Sequence, residues 1–269
     1  MINIPKLIRE VAKEKKIKIL FAVESGSRAW RLDSSNSDFD VRFVFVRPVK
    51  DYISINASGD VLTAHFDKNG NKVGQEGCFI DMCGFDVFKF SRMLSSSNPT
   101  VIEWLSSDIE YYGKKNKAWV DYAKNQFKPI SLYFHYKSMC KQNYLKYLKS
   151  GNEVTYKKYL YAMRGLVNSK WIINNEGLPP IQFPETIKKV KGVPVYVLQR
   201  LLDIIKIKKV GKEKEVIQKI PQIDYEIENF LKDDSEAPKN KQLATTLDLD
   251  LELRKIVLND EEEQKDDKN

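Results

Sequence analysis

The sequence predicts an α+β protein, with strands first and helices after. Two observations carry that prediction. Short apolar and alternating runs crowd the first 85 or so residues. From about residue 115 the apolar residues recur at helical spacing instead. Strands and helices segregated along the chain mark an α+β fold rather than an alternating α/β one.

Each element follows from its residues. Residues 5–16 place Leu7, Ile8, Val11 and Ala12 on one helical face. Ile17–Val23 is an apolar run that reads as a buried strand. Ser25–Trp30 turns out of it and opens a short helix. Residues 38–46, rich in Val and Phe, form a second strand. Residues 60–82 read as two strands around D-K-N-G-N-K, where Asn69-Gly70 supplies the turn. Asp86 caps a helix running to Leu94, and Pro99 opens another with Trp104 on its apolar side. Residues 131–149 and 153–173 are two long helices divided by Ser150-Gly151-Asn152. A proline-rich loop spans 177–184. Further helices are expected near 184–190, 194–206, 211–218 and 222–231, and disorder from 259. The expected units are 1–112, 113–258 and an acidic tail, 259–269.

Composition narrows the class. The chain has 269 residues, 42% of them apolar and 30% charged, enough for one large domain or two modest ones. No run approaches the roughly 18 apolar residues that span a bilayer. The N-terminus lacks the order of a secretory leader. Cys78, Cys83 and Cys140 show neither a paired framework nor metal-ligand spacing, and two histidines argue against a conventional zinc site. A reduced, cytoplasmic protein is expected, with no membrane partner. The net charge of +8 is uneven. Residues 1–110 are neutral, residues 111–220 carry a net +16 and residues 221–269 a net −8. A basic middle suits a polyanion such as RNA, DNA or nucleotide phosphate; a solvated lysine-rich surface is the other reading.

The chemistry is expected in the stretch E-S-G-S-R-A-W-R-L-D-S-S-N-S-D-F-D-V-R-F. Asp38 and Asp40 are two apart on a strand, so both leave the same face, while Val41, Phe43 and Phe45 turn toward a core. Two adjacent carboxylates repel, and a divalent cation removes the difficulty. Asp81, at the end of an apolar run, is the third acid, which would allow a second ion. Gly26 lets backbone approach a phosphate, Ser27 adds a hydroxyl and Arg28 a guanidinium. Alone, Gly26-Ser27 reads as an ordinary turn and the aspartates as a solvated strand end. Together they read as a site for metal and nucleotide. That reading needs the three acids to converge, and it falls if Asp81 points away from the other two or a lysine neutralises the cluster where the cations should sit.

These residues resemble the DNA polymerase β-like nucleotidyltransferase superfamily, whose signature is Gly-Ser, a spacer and Asp-x-Asp on a strand, with a third acid later. More narrowly, E-S-G-S-R-A-W, S-D-F-D-V-R-F-V-F-V-R-P, D-Y-I-S-I, I-D-M-C-G-F-D, N-P-T-V-I-E-W-L and Y-K-K-Y-L-Y-A-M-R resemble predicted nucleotidyltransferases related to bacterial YcgL proteins. One branch of that group is associated with RNA repair. The resemblance implies a small mixed sheet carrying the acids, followed by a mainly helical domain that closes over a nucleoside triphosphate. Arg31 departs from the pattern where relatives often have glycine, which leaves that loop's conformation open. Cys83-Gly84-Phe85-Asp86 stands where Ser-Gly-Trp-Asp is common.

In the helical half, Lys157, Tyr161, Arg164 and Asn168 share a stripe suited to phosphates. The resemblance adds Lys158, for which a solvated face is the other reading. Arg42, His135 and Tyr161 are candidate acceptor or base contacts; helix packing is the other reading of His135, and His65 reads as structural. Lysines interleaved with Tyr133, Tyr136, Tyr144, Tyr147, Tyr156 and Tyr159 suit base stacking. The expectation is transfer of a nucleoside monophosphate from an NTP to a hydroxyl, an RNA 3′ end first, with Mg²⁺ or Mn²⁺ as two ions and pyrophosphate released. The alternatives are nucleotidylation of a protein hydroxyl (the AMPylation type) and a non-catalytic nucleotide- or RNA-binding module.

Overall fold

The computed structural model describes residues 2–56, 58–151, 153–239 and 248–266, of which 259–266 are described by backbone alone. The first half runs α1 (Ile4–Lys15), β1 (Lys18–Glu24), α2 (Gly26–Ala29), β2 (Phe39–Val46), α3 (Val49–Tyr52), β3 (Val61–Phe66), β4 (Ile80–Asp86), α4 (Val87–Ser95), α5 (Pro99–Ser106) and β5 (Glu110–Gly113). The strands form one mixed sheet in the order β3-β4-β2-β1-β5. Only the β2–β4 pair is parallel.

The second half runs α6 (Lys117–Asn125), α7 (Pro129–Asn143), α8 (Tyr156–Asn174), α9 (Phe183–Lys189), α10 (Val195–Lys209), α11 (Pro221–Lys232) and α12 (Leu249–Asp266). A π-helical segment, Tyr144–Lys149, prolongs α7. α7 and α8 pack as a pair so close that a side chain at Gly165 would meet the Tyr136 carbonyl oxygen at 2.7 Å.

Period-two alternation in β2 builds both cores. Val41, Phe43 and Phe45 join Ile4, Leu7, Ile8 and Val11 of α1 on one face. Val44 and Val46 join Phe21, Val23, Trp104 and Trp119 on the other, in an apolar core that continues into α7, α8, α10 and α11. That core crosses the boundary expected near residue 112, which falls within β5.

Caps follow the sequence. Asp86 accepts a hydrogen bond from the Phe88 amide at 2.9 Å, and Asn98 does the same for Thr100 ahead of Pro99. Four expectations differ. The run after Asn69-Gly70 is no second strand: Phe66 and Lys72 make an isolated bridge, and β4 begins only at Ile80. The helix expected at 211–218 is irregular chain, because Val216 bridges to Thr155 and the Glu213 carbonyl accepts the Lys157 amide. β5, four residues long, was too short to show a period. α12 carries helical backbone through the acidic segment as far as Asp266.

Candidate active site

Strand register gathers the acids. β2 and β4 run parallel with Asp40 opposite Asp81, and β3 places His65 opposite Asp81 from the other side. Residues directly opposite share a face, so His65, Asp81 and Asp40 form a row across three strands. It lies on the sheet face that the helical half covers, since Asp40 alternates with Val41 and keeps step with Val44 and Val46.

Arg42, two residues beyond Asp40, is on the same face. Its Nη2 donates to Asp40 Oδ1 at 2.9 Å and to Asp81 Oδ2 at 2.8 Å, and its Nη1 donates to the Asp81 carbonyl at 2.9 Å. A guanidinium therefore sits between the two carboxylates, contrary to the expectation of an acid-only cluster. It supplies the positive charge that two carboxylates side by side require. The acids remain reachable, with side chains 32% and 35% exposed.

The turn after β1 is shaped around Asp40. Gly26 has φ +60°, and a side chain there would place its Cβ 1.9 Å from Asp40 Oδ2. Only glycine tolerates both the left-handed backbone and the carboxylate at its back. The Asp40 carbonyl accepts the Ser25 amide at 2.8 Å. The Asp40 amide donates to Glu24 Oε1 at 2.8 Å, and Tyr111 donates its hydroxyl to Glu24 Oε2 at 2.5 Å. Glu24 is fully buried, and burial pushes its carboxyl up to about 7 against the pull of those two donors. Burial also raises Asp40; Arg42 opposes the rise, Asp81 and Asp38 add to it, and Lys157 opposes it.

The other predicted residues divide. Asp38 stands just before β2 and is exposed; its charge reaches Asp40. Ser27 lines a small recess with Trp30, Leu32, Tyr161, Arg164 and Lys208. Arg28, expected on phosphate, instead fastens the loop before β2: Nη2 donates to the Ser37 carbonyl at 2.6 Å, Nε to the Asp38 carbonyl at 3.0 Å, and the guanidinium covers Phe39 at 3.9 Å. Arg31 adopts φ +58°, the conformation that suits the glycine of relatives, and pairs with Asp108 at 2.7 Å.

In α8, Lys157 is the predicted cation whose charge reaches Asp40, and its ammonium lies 5.9 Å from the Tyr161 ring. Lys158 turns to the Glu153 carbonyl and the Tyr147 ring. Arg164 is 5% exposed, with Nη2 on Glu103 Oε1 at 2.5 Å and its guanidinium stacked on Trp30 at 3.7 Å. Trp30 and Tyr136 also donate to Glu103. Arg164, expected on phosphate, has its charge met in this structure by Glu103, while it lines the recess beside Ser27. Tyr161 meets Trp30 edge to face. His135 is exposed on α7 and touches Tyr136. Asp86 keeps its capping role and accepts from the Tyr52 hydroxyl as well.

Sequence reasoning missed Glu24, Glu103, Lys208 and the environment of His65. Lys208 is 3% exposed on α10, 3.5 Å from Glu213, and lines the recess with Ser27. A lone charge inside an otherwise apolar run, as at Glu24 and Glu103, was the available signal. Nothing in the spacing joined His65 to Cys78. Their ligand atoms and an Asp81 oxygen all lie within 4.8 Å of one another. A larger groove of about 870 Å³ between α4, α6 and α12 contains none of the predicted site residues. Among the described residues no helix is long and apolar enough to cross a membrane.

Comparison with known proteins places the chain in a family. Residues 3–252 match the model of the RNA repair pathway DNA polymerase beta family (RlaP). A Bacillus subtilis (strain 168) protein, named uncharacterized protein YcgL, is 32% identical over 258 residues, spanning 95% of this chain and 94% of that one. A nucleotidyltransferase-like protein from Exiguobacterium sibiricum 255-15 aligns over 85% of this chain and 74% of its own, at TM-score 0.29 and 14% identity. That last likeness is too distant to carry chemistry. The family model supports a nucleotidyltransferase-like function. By a match that runs from Asn3 to Glu252, the chain belongs to the RNA repair pathway DNA polymerase beta family.

Proposed function

We propose that this protein transfers a nucleoside monophosphate from an NTP to a hydroxyl acceptor, an RNA 3′ end, with release of pyrophosphate. The observation that carries the reading is the in-register pair Asp40 and Asp81, part-exposed beside the Gly26 turn. Carboxylate oxygens are the donors that Mg²⁺ or Mn²⁺ takes, and an ion binding there would displace the Arg42 guanidinium from between them. Asp38, Asp40 and Asp81 would hold the ions, which when bound supply charge neutralisation at the triphosphate and a more acidic acceptor hydroxyl. Arg42 has an unbranched side chain, so it can release one carboxylate while keeping the Asp81 carbonyl.

The remaining roles are positional. Gly26 and Ser27 offer a backbone turn and a hydroxyl beside Asp40, where a phosphate would approach. Lys157 brings positive charge from the helical half toward Asp40. The net +16 of residues 111–220 favours an RNA acceptor over a protein one.

The test incubates the chain with each labelled NTP, Mg²⁺ or Mn²⁺, and total RNA or total protein. Label should enter RNA. Asp40→Asn and Asp81→Asn should each lose about a thousandfold, the rate equivalent of several kcal/mol of metal-borne stabilisation, with circular dichroism unchanged. Label in protein alone would replace the acceptor. No label with any NTP, or full activity in Asp40→Asn, would overturn the reading.

A further inference from the structure

The Asp81 carboxylate faces two ways. Its Oδ2 meets Arg42 and so belongs to the acid pair. Its Oδ1 lies 3.1 Å from His65 Nδ1, and that nitrogen lies 3.6 Å from Cys78 Sγ. An imidazole nitrogen, a thiol sulfur and a carboxylate oxygen thus meet at one point, held by three separate pieces of backbone.

That backbone is rigidly paired. His65 and Asp81 are directly opposite in the β3–β4 ladder. Cys78 is fixed just ahead of it, because the Phe79 amide donates to the Phe66 carbonyl at 2.8 Å and the Phe79 carbonyl accepts the Phe39 amide at 2.9 Å. The Val73 amide ties the intervening loop to the His65 carbonyl at 2.9 Å.

The separations suit a tetrahedral ion. With Zn–S near 2.3 Å and Zn–N and Zn–O near 2.0–2.1 Å, the edges of a tetrahedron are about 3.6 Å for S–N and about 3.3 Å for N–O. The observed S–N separation of 3.6 Å matches its edge, the N–O separation of 3.1 Å is slightly short of its edge, and the sulfur and the carboxylate oxygen lie within 4.8 Å of each other. All three side chains are part-exposed, so a fourth position remains open to solvent. The donor set also discriminates. Mg²⁺ prefers oxygen throughout, whereas thiolate with imidazole suits Zn²⁺, Co²⁺ and similar borderline ions.

We propose that His65 Nδ1, Cys78 Sγ and Asp81 Oδ1 form a three-ligand site for a Zn²⁺-like transition ion, adjoining the oxygen-lined pair but chemically distinct from it. Binding there deprotonates the thiol, the proton leaving to solvent as the S–metal bond forms. Because binding needs neither NTP nor acceptor, it is measured apart from transfer activity.

Co²⁺ is the probe. The reduced, chelator-treated full chain is titrated with Co²⁺ and followed for thiolate-to-cobalt charge-transfer absorption in the near ultraviolet. One equivalent should saturate the band, and Zn²⁺ should abolish it by displacement. Cys78→Ser should lose the band while its circular dichroism stays unchanged; Cys83→Ser should keep it. His65→Ala should weaken Co²⁺ binding by about a hundredfold or more, at or above the top of the roughly 10–100-fold range for losing an outer-shell partner. A wild-type chain without the band, a band that persists in Cys78→Ser, or one lost in Cys83→Ser would each overturn the assignment.

Discussion

Arg42 and Arg164 each grip carboxylates through one Nη2, yet they serve opposite ends. Arg164 is 5% exposed and is enclosed with Glu103, Trp30 and Tyr136, where α5 and the turn after α2 meet α7 and α8. Arg42 joins Asp40 to Asp81 at the mouth of the cleft, with both acids about a third exposed. The buried group pairs its Arg164 and Glu103 charges from within and joins α5 and the turn after α2 to α7 and α8. The open group retains carboxylate surface that water, metal or substrate can reach. The sequence reading expects phosphate binding for Arg164 and an acceptor or base contact for Arg42; burial encloses the first and leaves the second near the surface.

Removing one partner tests that contrast most severely at the buried end. Arg164→Met should destabilise the protein by about 3–5 kcal/mol in chemical denaturation, because Glu103 is left charged and enclosed. A loss under about 1 kcal/mol would place the two arginines in one class.

Glu24 sharpens the contrast through pH. Its carboxyl titrates near 7 when folded and near 4.5 when unfolded, so between those values the folded chain binds the extra proton. Stability should therefore fall as pH rises from about 4.5 to about 7, by an amount on the order of 3 kcal/mol, and level off above. Glu24→Gln should remove that slope in denaturation midpoints measured across the window. An unchanged slope would mean that Glu24 is not its source.

Arg42→Met should have the smallest effect on stability. Solvent screens the exposed acids, so the cost is expected at about 1 kcal/mol or less. A loss as large as that of Arg164→Met would show that the open pair is as structural as the closed one.

Much of this was legible beforehand, and for stateable reasons. Val41, Phe43 and Phe45 alternate with Asp40 and Arg42, so period two alone put the two charged residues on the opposite face of β2. Asp86 and Pro99 announced their helices because capping and N-terminal proline chemistry are local. The Asp-x-Asp spacing named Asp38 and Asp40, and the end of an apolar run named Asp81; β2 and β4 set Asp40 and Asp81 in register. Other residues depended on distant partners. Arg164 and Glu103 are 61 positions apart, and Arg28 is taken by carbonyls nine and ten residues on. Helical spacing places Arg164 on a stripe with Lys157; it cannot say what packs against that stripe. The helix expected at 211–218 failed because bridges to residues 154–157 claim its backbone groups.

The sequence by itself determined the α+β order, the N-terminal acids and the basic helical half, because alternation, caps and charge are written in neighbouring residues. Only the tertiary structure decided which charges stay open. It seated Arg42 between Asp40 and Asp81, closed Arg164 over Glu103, and brought His65, Cys78 and Asp81 together. Strand register and helix packing join residues far apart in the chain, and burial then sets what each charge is free to do.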